Sequence, residues 1–139
     1  MDIDVSKVKE VREKTGAGIM AAKKALEDSN GDVTKAEEIL KQQGLSNAMK
    51  KSGRETSEGV IQSYIHAGNK IGAMVELKCE TDFVARTEEF IALSKDLAMQ
   101  VAAMSPNFIY PDDEGADQAS SEEILISQSF IKDPALTIE

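Results

Sequence analysis

The sequence predicts an α+β protein: three short helices, a basic linker, and then an antiparallel β-hairpin packed on a longer helix. Three observations carry that prediction. Between Asp4 and Gly44, apolar residues recur every three or four positions, as on short amphipathic helices. Ile71, Ala73, Val75, Leu77 and Cys79 then alternate with Gly72, Glu76, Lys78 and Glu80. That is the period of a half-buried strand, and Met74 is its one exception. From Phe90 the spacing returns to three and four through Leu93, Leu97, Val101 and Met104, which marks a second helical region.

Each element has its own signals. Val5, Val8 and Val11 stripe the first helix, with Asp4 or Ser6 as its N-cap. Thr15-Gly16-Ala17-Gly18 ends it, because glycine inside a helix costs about 1 kcal/mol relative to alanine. The second helix runs from Ile19 to Asp28 with Ala22, Ala25 and Leu26 as its buried side, and Asn30-Gly31 closes it. Asp32 caps a third helix striped by Val33, Ala36, Ile39 and Leu40, and Gly44 is its expected stop. Residues 45–57 carry Lys50, Lys51, Gly53 and Arg54 among small polar residues, which reads as a mobile, basic linker. A first strand from Gly59 to His66, a Gly68-Asn69 turn and the alternating strand make a hairpin over 59–80. Thr87 caps a helix over about 87–104, and Glu88 and Glu89 suit its positive end. Ser105-Pro106 ends that helix, an acidic loop fills 105–123, and one short element precedes Pro134.

Composition narrows the class. With 139 residues, no Trp and 4% aromatics, the chain can hold one domain, or a small module beside a modest second one, with an aliphatic core. No apolar run approaches the roughly 18 residues of a membrane span. Met1-Asp2-Ile3-Asp4 has neither the basic start of a secretory signal nor the Arg/Ser bias of a transit peptide. The single Cys79 cannot form an internal disulfide, which fits a reducing compartment. The net charge of −9 is uneven: residues 1–57 hold 11 basic against 10 acidic side chains, and residues 58–139 hold 5 against 15. An acidic second half opposes binding to a phosphate backbone, and no aromatics interleave with the linker's charges as single-stranded nucleic acid would require. No direct nucleic-acid or membrane partner is expected.

Catalytic chemistry finds little support. His66 is the only histidine, near a hairpin turn and without a nucleophile in a plausible triad. Asp112-Asp113-Glu114 lacks the alternation and closing Glu of a calcium loop. Thr15-Gly16-Ala17-Gly18 follows a helix and lacks the Lys-Ser/Thr ending of a phosphate-binding loop. No catalytic residue, metal ligand or cofactor is assigned, and the chain reads as a protein that acts on another protein. The most informative stretch is Cys79-Glu80-Thr81-Asp82-Phe83-Val84-Ala85, where strand gives way to helix. By pattern, Phe83 either plugs the sheet–helix core, as residues stapling helix entries do, or projects from a rigid elbow into a partner.

The run from Val8-Lys9-Glu10-Val11-Arg12 through Thr15-Gly16-Ala17-Gly18-Ile19-Met20 to Asn30-Gly31-Asp32 closely resembles the start of translation elongation factor Ts. Glu58-Gly59-Val60-Ile61, the Cys79–Ala85 corner and Ser129-Phe130-Ile131-Lys132-Asp133-Pro134 resemble later segments of the same family, and the likeness is continuous over roughly residues 5–105. The resemblance implies a guanine nucleotide exchange factor for elongation factor Tu, engaged in both its GDP-bound and nucleotide-free states. It implies a ubiquitin-associated-like module over 1–44, a linker over 45–57 and a partial core over 58–139. Arg12, Ile19 and Met20 match the family's N-terminal docking surface; by pattern alone Ile19 and Met20 read as core. Thr81, Asp82, Phe83 and Val84 match the corner that family members press towards the partner's magnesium site. The family's longer ending is absent here, which predicts a sheet short of a strand, an open edge and a homodimer as one outcome. The implied compartment is the cytoplasm or, alternatively, the plastid stroma. The competing class is an adaptor that binds ubiquitin-like or ribosomal partners through the three-helix module without exchange activity.

Overall fold

Asp4 begins the first helix of the structure, a computed structural model that describes residues 4–139; the start of the predicted 1–44 module, Met1 to Ile3, lies outside the described residues. The Asp4 carboxylate accepts the Ser6 N–H at 3.0 Å, so Asp4 rather than Ser6 is the cap of α1 (Val5–Thr15). Gly16 ends it with φ 68°, a left-handed conformation that glycine adopts without strain, and its N–H returns to the Arg12 carbonyl at 2.8 Å. Helix α2 (Ile19–Asp28) and helix α3 (Val33–Lys51) follow, the latter capped by Asp32. The chain divides into two compact units, one reaching Arg54 and the other starting at Glu55.

In the first unit Val11, Ala22, Ala25, Leu26 and Ala36 form the buried core, with Val8, Val33, Ile39 and Leu40 packed against it. Three of those five are alanines, so the helices approach closely but bury little apolar area each. Val5, expected on the apolar stripe, is exposed, since the first turn of α1 overhangs this small core. Polar contacts supplement the packing. Lys14 on α1 reaches Glu10 and, on α3, Glu37, each at 3.0 Å, and Lys7 donates to the Gly31 carbonyl at 2.7 Å. The two carboxylates hold the Lys14 ammonium above the ordinary lysine range, Glu37 first and Glu10 second.

Two readings of this region are corrected. Gly44 does not stop α3, which runs through it to Lys51. A single glycine weakens a helix by about 1 kcal/mol without breaking it, and Leu45, Ala48, Met49, Lys50 and Lys51 beyond it are good helix formers. The N-terminal part of the predicted 45–57 linker is therefore helical, and only the residues after Lys51 leave the helix.

The second unit is built on an antiparallel hairpin, β1 (Glu58–Ile65) and β2 (Gly72–Cys79), in a register that pairs Glu58 with Cys79 and Ile65 with Gly72. Gly59 is obligatory: at φ 155° a Cβ would overlap the Leu77 carbonyl oxygen and stand 2.9 Å from Lys78 Cα. One face carries Val60, Gln62, Tyr64, Ala73, Val75 and Leu77, all partly buried, and ends at buried Cys79. Helix α5 (Glu88–Met104), reached through the one-turn helix α4 (Asp82–Ala85), packs against both strands. The other face leaves Ile61, Ile65 and Met74 exposed, with Ile71 exposed at the turn.

After α5 the chain folds back on itself. Gln100, fully buried on α5, donates to the Gln128 side chain at 3.1 Å and the Ser129 carbonyl at 3.0 Å, and accepts the Ile131 N–H at 3.0 Å. These bonds tie α5 to a small hairpin, β3 (Ser129–Phe130) and β4 (Asp133–Thr137), preceded by a 3-10 turn over Leu125–Ser127. The predicted short element is thus a turn and hairpin, and Pro134 lies inside β4 rather than beyond it. The acidic loop over 105–123 is likewise more ordered than a solvated run. Asp113 accepts the Ile109 and Tyr110 N–H groups at 2.8 and 2.9 Å, and Glu123 accepts from Ser120 N, Ser120 Oγ and Asn107 Nδ2. Carboxylates here close turns by accepting orphan backbone donors.

Two predictions follow from these bonds. Replacing Gln100 with Leu keeps its bulk but strands a buried carbonyl, N–H and amide; urea denaturation is expected to register a loss of about 3 kcal/mol. The Ser120 backbone N–H, and then its hydroxyl, hold the Glu123 carboxyl below its ordinary range. A lowered folded-state pKa stabilises fully above the usual carboxylate value and loses that contribution as pH falls through the folded value. The amide protection factors of residues 105–123, taken relative to an intrinsic exchange rate that itself falls in acid, are therefore expected to drop on acidification below the ordinary glutamate range, before those of the hairpin 58–79 do.

Candidate functional site: the strand-to-helix corner

The corner is held from both ends. Cys79 buries its side chain at the end of β2 and its thiol donates to the Thr81 carbonyl at 3.1 Å. Thr81 is extended, and its hydroxyl oxygen accepts the Val84 N–H at 3.4 Å, capping α4. Ala85 is buried and anchors the turn. Thr87 then donates its hydroxyl to the Val84 carbonyl at 2.8 Å and accepts the Phe90 N–H at 3.3 Å as the cap of α5. Asp82 and Arg86 pair across the turn at 3.2 Å.

With Ala85 turned inward, Phe83 is turned outward: 81% of its surface is exposed, and Val84 beside it is 43% exposed. Of the two pattern readings, the plug is overturned: the ring points into solvent instead of the sheet–helix core. Exposing a phenyl ring forgoes the roughly 1.5–3 kcal/mol that burial would contribute, and that free energy remains available to a partner surface. The sequence placed a large apolar residue at the corner; only the caps on either side decide which of Phe83 and Ala85 enters the core.

The first unit carries a second set. Ile19 and Met20 open α2 and are 57% and 77% exposed, so the pattern reading of both as core is corrected: the three-helix core is filled by Ala22, Ala25 and Leu26 further along α2. Arg12 donates through Nε to the Ala17 carbonyl at 3.3 Å, which braces the Gly16–Gly18 turn just before them. Arg12, Ile19 and Met20 therefore occupy one end of the α1–α2 connection. The corner and this patch lie in different units.

Other candidates remain local. His66 Nδ1 and the Tyr64 hydroxyl are 3.0 Å apart on the hairpin. Among the described residues no three His, Cys, Asp or Glu side chains are grouped to hold a metal ion, and no helix is long and apolar enough to cross a membrane. Sequence reasoning passed over the open hairpin face formed by Ile61, Ile65 and Met74. The signal was present in Met74, the exception to strict alternation, and in Ile61 and Ile65 lying out of phase with Val60 and Tyr64.

Fold and patches define a small α+β protein that exposes apolar side chains beside hydrogen-bonded caps and turns. Residues 5–123 match the family described as Elongation factor TS. The chain is 52% identical over 130 residues to a protein named Elongation factor Ts from Desulforamulus reducens, covering 93% of this chain and 60% of that one. It is 54% identical over 129 residues to a protein of that name from Anaeromyxobacter dehalogenans strain 2CP-1, covering 92% and 59%. A third, from Thermodesulfovibrio yellowstonii, is 54% identical over 140 residues, covering 100% and 70%. The chain belongs to the elongation factor Ts family, whose members are translation elongation factors. It spans about three fifths of the length of the first two relatives.

Burial of Cys79 makes its thiol a reporter of the corner. Alkylation by a maleimide under native conditions is expected to be slow, and to accelerate by orders of magnitude in denaturant; fast native labelling, followed by mass spectrometry, would show that β2 frays at its end.

Proposed function

We propose that this chain promotes GDP release from elongation factor Tu, using Phe83 as a wedge and Thr81, Asp82 and Val84 as its rigid mount. The single observation that carries the reading is an aromatic ring held almost wholly in solvent by back-to-back helix caps. Membership of the elongation factor Ts family supports elongation factor Tu as the partner in this reading.

The mechanism follows from the chemistry of the partner's site. Bound GDP is retained partly by a magnesium ion whose charge bridges phosphate and protein oxygens in near-octahedral geometry. An aromatic ring inserted between side chains near that ion displaces the segments that hold it and its waters. A flexible side chain would yield instead of displacing, so the stiffness of the Thr81–Thr87 corner matters as much as the ring. Loss of the ion leaves phosphate charge uncompensated and GDP departs. Linkage makes the effect reciprocal: a protein that weakens GDP binding is itself bound less tightly by the nucleotide-loaded partner, so incoming nucleotide releases it. Arg12, Ile19 and Met20 dock the first unit on the nucleotide-binding domain in this reading. The chain needs no cofactor and performs no covalent chemistry; it works in the cytoplasm, or in the plastid stroma as the alternative.

Exposure of Ile19 and Met20 on a self-contained three-helix unit favours one second reading, an adaptor that binds without exchanging. Phe83→Ala separates the two. Under the wedge reading it slows stimulated release of labelled GDP at least tenfold while circular dichroism and the unfolding midpoint stay within error of the parent. Parent-like stimulation by the variant rejects the wedge, and a parent that leaves GDP release unchanged leaves the adaptor. The two-stranded sheet β1–β2 also offers unpaired outer edges, a surface for pairing with a second copy. Light scattering is expected to give a mass that rises with concentration; a constant monomer mass rejects the homodimer.

A further inference from the structure

We propose that the second half of α3 is a further docking surface, occupied by an acidic, apolar-centred protein surface on the same GTPase; this inference rests on the exchange reading above. Between Lys41 and Arg54 the chain has four basic residues and no acidic one, within a protein whose net charge is −9. Lys41, Lys50 and Lys51 are exposed, and none of them enters an ion pair among the described residues, so their charge is free to meet a partner. Leu45 and Met49 lie among them, 57% and 76% exposed.

The placement of these two side chains is the second observation. Leu45 stands nine positions after Ala36, and Met49 nine after Leu40, and Ala36 and Leu40 belong to the side of α3 that packs on the three-helix core. At about 100° per residue, nine positions amount to half a turn, so the apolar stripe of α3 changes sides near Gly44. Lys41, Leu45 and Met49 follow one another at four-residue spacing on that new side. Complementing the helix dipole accounts for Lys50 and Lys51 in the last turn. It accounts neither for Lys41, ten residues before the helix end, nor for the apolar pair.

Charge complementarity selects the occupant. A cationic rim around two apolar side chains matches carboxylates around an apolar patch, and it is placed where an otherwise acidic chain would repel such a surface. Single-stranded RNA is disfavoured because no aromatic residue lies among the charges to stack on bases. Two apolar side chains are too few to anchor an interfacial membrane helix.

Two sets of substitutions test the surface, all at exposed side chains. Lys41→Glu/Lys50→Glu/Lys51→Glu is expected to slow association with elongation factor Tu, followed by stopped-flow fluorescence, about tenfold at low salt. The difference should vanish at high salt, and GDP release at saturating concentration should equal the parent's. Leu45→Ser/Met49→Ser is expected to raise the dissociation rate several-fold at either salt. Circular dichroism checks that both variants keep the parent's helix content. Parent-like association and dissociation by both variants overturn the proposal. So does a charge-reversed chain that binds the GTPase normally but loses retention of a single-stranded RNA probe, which assigns the surface to nucleic acid. A parent chain that does not bind the GTPase at all removes the exchange reading, and this inference with it.

Discussion

The exposed corner of this chain depends on one short-range constraint: two threonines that cap successive helices on either side of a buried alanine. Thr81 closes the N-terminus of a four-residue helix, and Thr87 closes both its end and the start of α5. A single helical turn has no independent stability, because nucleation costs more than one hydrogen bond returns. It persists here because Cys79 and Ala85 are buried at its two ends and each threonine satisfies backbone groups that would otherwise be orphaned. Phe83, lying between, has nowhere to go but outward.

That arrangement draws on little reserve. The first unit's core is small and alanine-rich, and the exposed Lys14–Glu10 ion pair within α1 adds less than about 1 kcal/mol. The second unit spends a fully buried position of α5 on Gln100, a polar side chain whose merit is direction rather than hydrophobicity. Its three bonds fix where the chain between Gln128 and Ile131 crosses the helix. Meanwhile Ile19, Met20, Leu45, Met49, Ile61, Ile65, Met74 and Phe83 all stand exposed. Scattered exposed apolar residues are ordinary, but these sit on backbone that is already helix, strand or capped turn. A partner gains their burial without having to order them first.

Both exposed sets also show how a fold this small divides its labour. The corner is stiff because secondary structure ends there twice within a few residues. The Ile19–Met20 patch is stiff because Arg12 braces the glycine turn that precedes it. In each case hydrogen bonds from side chains to backbone carbonyl or N–H groups, several at the corner and one from Arg12, restrain the backbone beside an apolar residue that packing leaves alone.

Local features were legible from residue order alone. Period-two alternation from Ala73 to Cys79, the caps Asp4, Asp32 and Thr87, and the core trio Ala22, Ala25 and Leu26 were all legible, because each depends on neighbours within a turn or a strand repeat, whereas Ile71, read on the same apolar face, is exposed at the turn. The corner and the patch were legible as motifs by resemblance to a family, but the orientation of Phe83, Ile19 and Met20 was not. Composition treats a phenyl ring or an isoleucine as core, and which of Phe83 or Ala85 turns inward depends on the strand register, on Cys79 and on two caps acting together. Gly44 misled for the mirror-image reason: an isolated glycine is a stop only where the helix has nothing further to gain, and α3 continues with good helix formers. These points were set by packing, because burial belongs to the whole packed unit, whereas a residue's sequence neighbours govern no more than its local conformation.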